Sequence, residues 1–170
     1  VGERGVTLDL NGGTLDNHDL GLVSTPGALL LRQLGMVDNS VGGEISSDRA
    51  FTLAANTLNN QGGRLISSEA LTLRIAKTLD NSLKGQVLAT DGLAIESQVL
   101  DNRAGTIGSK GDARISVTSL DNAEQGSLVS EGRLELVADQ VSNGNQGRIA
   151  ARGVLEAAVG TLLQQGGELV

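Results

Sequence analysis

The sequence predicts an all-β chain: a right-handed parallel β-helix, a solenoid of about eight coils of ~21 residues with three short strands in each. Three observations predict it. A Leu-Asp-Asn tripeptide returns at a nearly fixed interval along the chain. Glycine is abundant, at 24 of 170 residues, while Pro26 is the single proline. The apolar residues, 39% of the chain, are almost all Leu, Val, Ile and Ala, with Phe51 the one aromatic residue and Met36 the one methionine. A compact globule fills an irregular interior with aromatics, whereas an interior of repeating layers does without them.

The tripeptide stands as Leu15-Asp16-Asn17, Val37-Asp38-Asn39, Leu58-Asn59-Asn60, Leu79-Asp80-Asn81, Leu100-Asp101-Asn102, Leu120-Asp121-Asn122 and Val141-Ser142-Asn143, with steps of 22, 21, 21, 21, 20 and 21 residues between successive asparagines. A degenerate copy follows at Leu162-Leu163-Gln164, and the longest step reflects one extra residue around Leu31–Gly35. Three or four residues after each Asn comes a glycine: Gly21, Gly43, Gly63, Gly85, Gly105, Gly126, Gly147 and, in the degenerate copy, Gly167. Then comes a short apolar strand, such as Leu65-Ile66 or Val87-Leu88, and a turn of Ser, Asp, Glu and Gly. An alternating segment follows, FTL at 51–53, LTLRI at 71–75 or LEL at 134–136, before the chain returns to the next tripeptide. Alternation with period two buries one face of a strand. No stretch carries a sustained helical period with caps.

Stacked coils pair each strand with its equivalent one repeat later, about 4.8 Å away. Identical side chains then pile up in columns. Asn17, Asn39, Asn60, Asn81, Asn102, Asn122 and Asn143 are expected to form a structural ladder, each amide donating to one neighbour and accepting from the other. The Asp column before them, interrupted by Asn59 and Ser142, is expected to face water, because stacked like charges repel. The glycine column needs either a positive φ or a close backbone approach.

Composition excludes several classes. There is no cysteine, hence no disulfide framework, thiolate metal site or thiol nucleophile. A net charge of −7 disfavours phosphate backbones and anionic lipid, and the thirteen basic residues are scattered. Nucleic acid is therefore not an expected partner. No apolar run approaches the roughly 20 residues that span a bilayer. The opening VGERGVTLDL lacks signal-peptide architecture. The chain is read as one repeat segment, 1–170, of a much longer protein, with a divergent first coil at 1–14 and regular coils at 15–170.

No residue stands out as catalytic, cofactor-binding or metal-ligating. Stacked carboxylates match the separation of a retaining glycosidase pair, but a ladder makes that spacing on every coil. The Asp column lacks the GGxGxDxUx pattern of calcium-binding β-rolls. His18, the single histidine, reads as a solvated turn residue, and Phe51 as a member of the core column of Leu71 and Leu134. Lys110-Gly111-Asp112 falls in a turn, and GTIGSKG at 105–111 lacks the Gly-Lys-Ser/Thr order of a phosphate loop.

The grammar LDNxxGxI(x)S, a polar turn, then LxL resembles the filamentous-haemagglutinin-type repeats of bacterial two-partner-secretion exoproteins, which include large adhesins and contact-dependent growth inhibition proteins. LNNQGGRLISSEALTL (58–73) and LDNAEQGSLVSEGRLEL (120–136) are similar to typical copies, and the resemblance covers residues 15–170. It implies a parallel β-helix, export by an outer-membrane partner transporter through regions outside this segment, and display on or release from a Gram-negative cell. It implies a shaft, a spacer or an adhesive surface that binds a host or bacterial receptor, and no cofactor. A polysaccharide-acting enzyme is a third reading. If both ends are raw coil faces, the segment is expected to associate end to end.

Overall fold

A computed structural model describes residues 4–170; the first three residues of the predicted divergent coil lie outside the described residues. Every strand pairing is parallel, and no described residue is helical. The chain is the predicted β-solenoid, about eight turns of ~21 residues.

Two sheets run the length of the stack. One has eight short strands, Leu22–Thr25, Glu44–Ser47, Arg64–Ser67, Gln86–Ala89, Thr106–Ser109, Ser127–Ser130, Arg148–Ala151 and Glu168–Leu169, each paired with the next. The other has long strands of nine or ten residues: Leu29–Asp38, Phe51–Asn59, Leu71–Asp80, Leu93–Asp101, Ala113–Asp121, Leu134–Ser142 and Leu155–Leu163. In the first coil the long strand is split into Val6–Asp9 and Thr14–Asp16, both paired with Leu29–Asp38. The later coils keep that joint as a bend. Pairing slips between Leu31 and Leu34, between Ala55 and Thr57, and between Glu96 and Val99. Each long strand therefore supplies two of the coil's three strand segments and the short strand supplies the third.

Alternation sets what fills the interior. Phe51, Leu71, Leu93, Ala113 and Leu134 share one register column, and Leu53, Leu73, Ile95, Ile115 and Leu136 the next but one. Nearly all are withdrawn from solvent, Phe51 completely. The residue before each Asp is likewise inward: Val37, Leu58, Leu79, Leu100, Leu120 and Val141 are buried. The short sheet adds Ile45, Leu65, Val87, Ile107, Leu128 and Ile149 from the opposite wall. Each buried Leu or Ile removed from water contributes about 1.5–3 kcal/mol, so the aliphatic columns carry most of the stability.

The turn between the Asn and the short strand has two lengths. Where the glycine follows by four residues, two consecutive residues take a positive φ: Val41 and Gly42, Leu83 and Lys84, Glu124 and Gln125, Asn145 and Gln146. With the closing bond from the glycine N–H to the carbonyl three residues back, as from Gly43 to Ser40 at 3.1 Å, this is a type I′ turn. Where the glycine follows by three, a single positive φ remains, at Gly62, Ala104 or Gly166. Most of these left-handed residues are not glycine, which costs about 1–2 kcal/mol each. Bonds between stacked turns offset the cost: Leu83 N–H donates to the Arg103 carbonyl at 3.2 Å, and Lys84 N–H to Ala104 at 3.0 Å.

The repeated glycine itself has no positive φ in any copy. Of the two reasons open from sequence, close approach is the operative one. A Cβ on Gly43, Gly63, Gly105 or Gly147 would press into the backbone oxygen of the asparagine one coil earlier. The glycine column lets successive turns sit directly on one another.

Candidate functional site

The feature repeated in every coil is the polar corner where the long strand ends. The asparagine side chains point inward there and join through the stack. Asn17 Nδ2 donates to Asn39 Oδ1 at 2.7 Å, Asn39 to Asn60 at 2.8 Å, Asn60 to Asn81 at 2.7 Å and Asn81 to Asn102 at 2.8 Å. Asn102 continues to Asn122 at 2.7 Å and Asn122 to Asn143 at 2.8 Å. Gln164 takes the position in the last coil and accepts from Asn143 at 3.2 Å. The second hydrogen of each amide reaches a carbonyl of the next coil's short strand, as from Asn39 to Arg64 at 3.0 Å and from Asn122 to Arg148 at 3.0 Å. From Asn39 to Asn143 the side chains are fully buried with their donors occupied, the condition under which a buried amide is tolerated.

The Asp column stands outside the asparagines and caps the turn. Asp38 accepts from the N–H of Ser40, Asp80 from Ser82, Asp101 from Arg103 and Asp121 from Ala123, at 3.0–3.1 Å. Asn59 does the same for Gln61 at 3.2 Å. These are Asx turns, which amide and carboxylate make equally well, so Asn59 interrupts the charge column without breaking the structure.

A second polar column went unassigned in the sequence reading. Thr25, Ser47, Ser67, Ser109 and Ser130 end the short strands and are buried. Their hydroxyls serve carbonyls of the turn one coil earlier: Ser47 donates to Gly27 at 2.7 Å, Ser67 to Arg49 at 2.8 Å and Ser130 to Gly111 at 2.8 Å. Ala89 and Ala151 hold this register in the remaining coils. The signal was present as a small hydroxyl two residues after each inward Ile, Leu or Val of the short strand, the same place in five repeats.

The outer surface is charged in cross-coil pairs. Arg64 meets Glu44 at 3.1 Å, Arg49 meets Glu69 at 3.0 Å and Arg32 meets Asp9 at 3.1 Å, while Arg148 pairs with Glu168 and Arg133 with Glu156. Exposed pairs of this kind contribute about 0–1 kcal/mol each.

His18 lies on the exposed turn, bonded to Asp16 and Asp19. The bond to Asp16 holds the imidazole pKa above its ordinary value and the Asp16 carboxyl below its own. Asp16, His18 and Asp38 bring ligand atoms within 4.8 Å of one another, but these are open surface groups that already bond each other. Lys110 and Gly111 form the expected bend. A shallow groove of about 580 Å³ follows the bends of the long strands, floored by Leu34, Ala55, Ile75 and Ser97 and edged by Arg74 and Glu96. Ser97 places a hydroxyl in a core column beside Val117, and its Oγ is buried without a hydrogen-bond partner.

No curated protein and no solved structure matches the chain. The haemagglutinin-repeat family profile matches at residues 5–82, 74–136 and 113–170, overlapping spans that cover nearly the whole length. That family is a structural, adhesin-type one, typical of secreted or cell-surface bacterial proteins, and its repeats fit the stalk of a filamentous adhesin. With the family profile laid over every coil of the stack, the chain belongs to the haemagglutinin-repeat family.

Proposed function

We propose that this chain is a stalk or spacer segment of a secreted filamentous exoprotein, an adhesin or a contact-dependent growth inhibition protein on a Gram-negative surface. It performs no catalysis. Its work is mechanical: it holds a binding or toxin-bearing region at a distance from the cell that makes it. Regions outside the segment engage the outer-membrane transporter of a two-partner system. The observation that carries the reading is the unbroken amide ladder, which runs from Asn17 through Asn143 to Gln164 without an inserted loop or a break. This chain spreads its polar groups evenly, and it lacks the Trp and Tyr that dominate binding hot spots.

The groove along the bends favours a second reading, in which the segment is itself a receptor- or carbohydrate-binding surface. One experiment separates the two. Labelled chain, shown by circular dichroism to be folded, is titrated onto candidate target cells with unlabelled chain as competitor. A spacer gives no saturable signal. Saturable, competable binding would overturn the spacer reading in favour of the adhesive surface.

A further inference from the structure

The short-strand sheet turns one column outward between its inward aliphatics and the buried serines: Ser46, Ile66, Leu88, Gly108, Val129 and Ala150, all in register. Ile66, Leu88 and Val129 are only half-buried. Gly108 breaks this aliphatic stripe. A Cβ there would meet only Leu88 Cδ2 at 3.4 Å and the Val129 carbonyl oxygen at 3.9 Å, and its φ is not positive, so neither space nor backbone demands a glycine. The result is a hollow of about 450 Å³ between Leu88 and Val129, walled by Arg64, Lys110 and Glu131.

Charge is graded along the same face. Toward the start of the stack the stripe is flanked by Glu44 on one side and Asp48 on the other. Five coils on, the same two columns carry Arg148 and Arg152. Arg152 reaches an acid of its own chain only at 3.8 Å, from Glu131.

We infer that this face pairs with the same face of a second copy, the two rods lying side by side and antiparallel. A two-fold axis along the strands, passing between the coils of Leu88 and Gly108, sets each column against itself with the coil order reversed. Leu88 of each copy then enters the Gly108 hollow of the other, and Ile66 lies on Val129. Glu44 faces Arg148 and Asp48 faces Arg152, and symmetry makes each of these pairs twice. No like charges meet: Lys110 faces Thr90, Glu131 faces Ser68 and Arg64 faces Ser127. A shift of one coil loses the match. In one direction Leu88 collides with Leu88 and Glu131 opposes Asp48; in the other Arg64 opposes Arg148 and Lys110 opposes itself. A register so enforced by clashes and like charges is specific. The contact is isologous and closes at two copies. The face spans six coils, about 29 Å at a spacing of about 4.8 Å, which is small for a specific interface, so the pair is a weak one that forms at high concentration. This goes beyond the spacer reading. The groove along the bends lies on the other sheet, and the cell-binding test does not depend on the pairing.

Sedimentation equilibrium of the purified chain over a rising concentration series reads the association, and a reversible monomer–dimer equilibrium is expected. Gly108→Leu fills the hollow from its own chain and is expected to abolish the dimer. Asp48→Arg sets like charges at two symmetric places and is expected to weaken it about tenfold, the effect of two surface ion pairs. Combining Asp48→Arg with Arg152→Glu restores opposite charges in exchanged positions and is expected to recover the dimer. Circular dichroism confirms that each variant keeps the fold; if Gly108→Leu does not, the charge exchange decides alone. A chain that stays monomeric at every concentration would overturn the inference. So would association of undiminished strength in folded Gly108→Leu, or a double variant that associates no better than Asp48→Arg.

Discussion

The backbone oxygen of Asn39 stands in the space that a Cβ on Gly63 would need. Gly63 follows the asparagine of the next coil, so the contact ties one turn to the turn beneath it at the spacing of the stack. A side chain there must either lift one coil off the other or bend the turn out of the ladder. Gly63→Ala is expected to destabilise by about 1–3 kcal/mol, the cost of forcing a methyl group into a packed site. Gly92, where a Cβ meets nothing nearer than 3.7 Å, is the control, and Gly92→Ala is expected to be neutral or slightly stabilising. Thermal and urea unfolding of the two variants make the comparison.

Asn81 tests the ladder. Asn81→Ala removes the acceptor for Asn60 and the donor for Asn102 and for the Thr106 carbonyl. Leaving buried partners unmade costs about 1–3 kcal/mol per group, so a loss on the order of 3 kcal/mol is expected. Asn81→Asp adds a pH signature. Burial disfavours the charged carboxylate and raises its folded pKa above the unfolded value. The variant should be most stable at acid pH and lose stability as pH rises through the folded pKa. Asn59→Asp, one position out from the ladder, loses its bond to Asp38 and stacks a third carboxylate between Asp38 and Asp80 at the water-facing corner, so only a smaller loss of about 1 kcal/mol, reduced by salt, is expected. Equal losses at both positions would refute the ladder's role.

Ser97 is the one described side chain with a buried polar atom lacking a partner. Ser97→Val matches the neighbouring Val117 and removes the unpaired hydroxyl. A gain of about 1 kcal/mol is expected from unfolding midpoints. A loss would mean that the groove beside it needs the hydroxyl.

The coil geometry was legible in the sequence where chemistry repeats at a fixed place. Asn39 through Asn143, the inward residues before each Asp and the alternating Leu53, Leu73 and Leu136 each mark a register position with a residue type that only one environment tolerates. The continuity of the long strands was less legible. Around Arg74-Ile75-Ala76-Lys77 the alternation fades, and no glycine or proline marks the bend that the slipped pairing produces. The left-handed conformations of Leu83, Lys84, Gln125 and Gln146 carry no local signal either, because bonds to the next coil enforce them. The serine column was visible as a repeat, but hydroxyls are common in turns and their inward direction follows only from the stacked geometry.

The surface bond between Asp16 and His18 gives a pH prediction with a definite sign. His18 titrates above its ordinary value because Asp16 bonds it, and Asp16 titrates below its own for the same reason. The histidine contribution is full below its unfolded pKa and lost as pH rises through the folded one. The aspartate contribution is present above its unfolded pKa and lost as pH falls. The pair therefore favours the folded first coil most between about pH 4 and 6.5. In an NMR titration, Asp16→Asn is expected to move the His18 midpoint down toward the ordinary imidazole value. An unchanged midpoint would show that Asp16 is not the cause.

The central claim is that the chain is a modular rod whose length is counted in whole coils. Repeating residues 61–81 in frame adds one full step of 21 residues between ladder positions. Small-angle scattering should then show the rod longer by about 4.8 Å with its cross-section unchanged, and the melting temperature should not fall. A rod of unchanged length, with the insert looped out, or a chain unfolded by one added repeat would contradict the account.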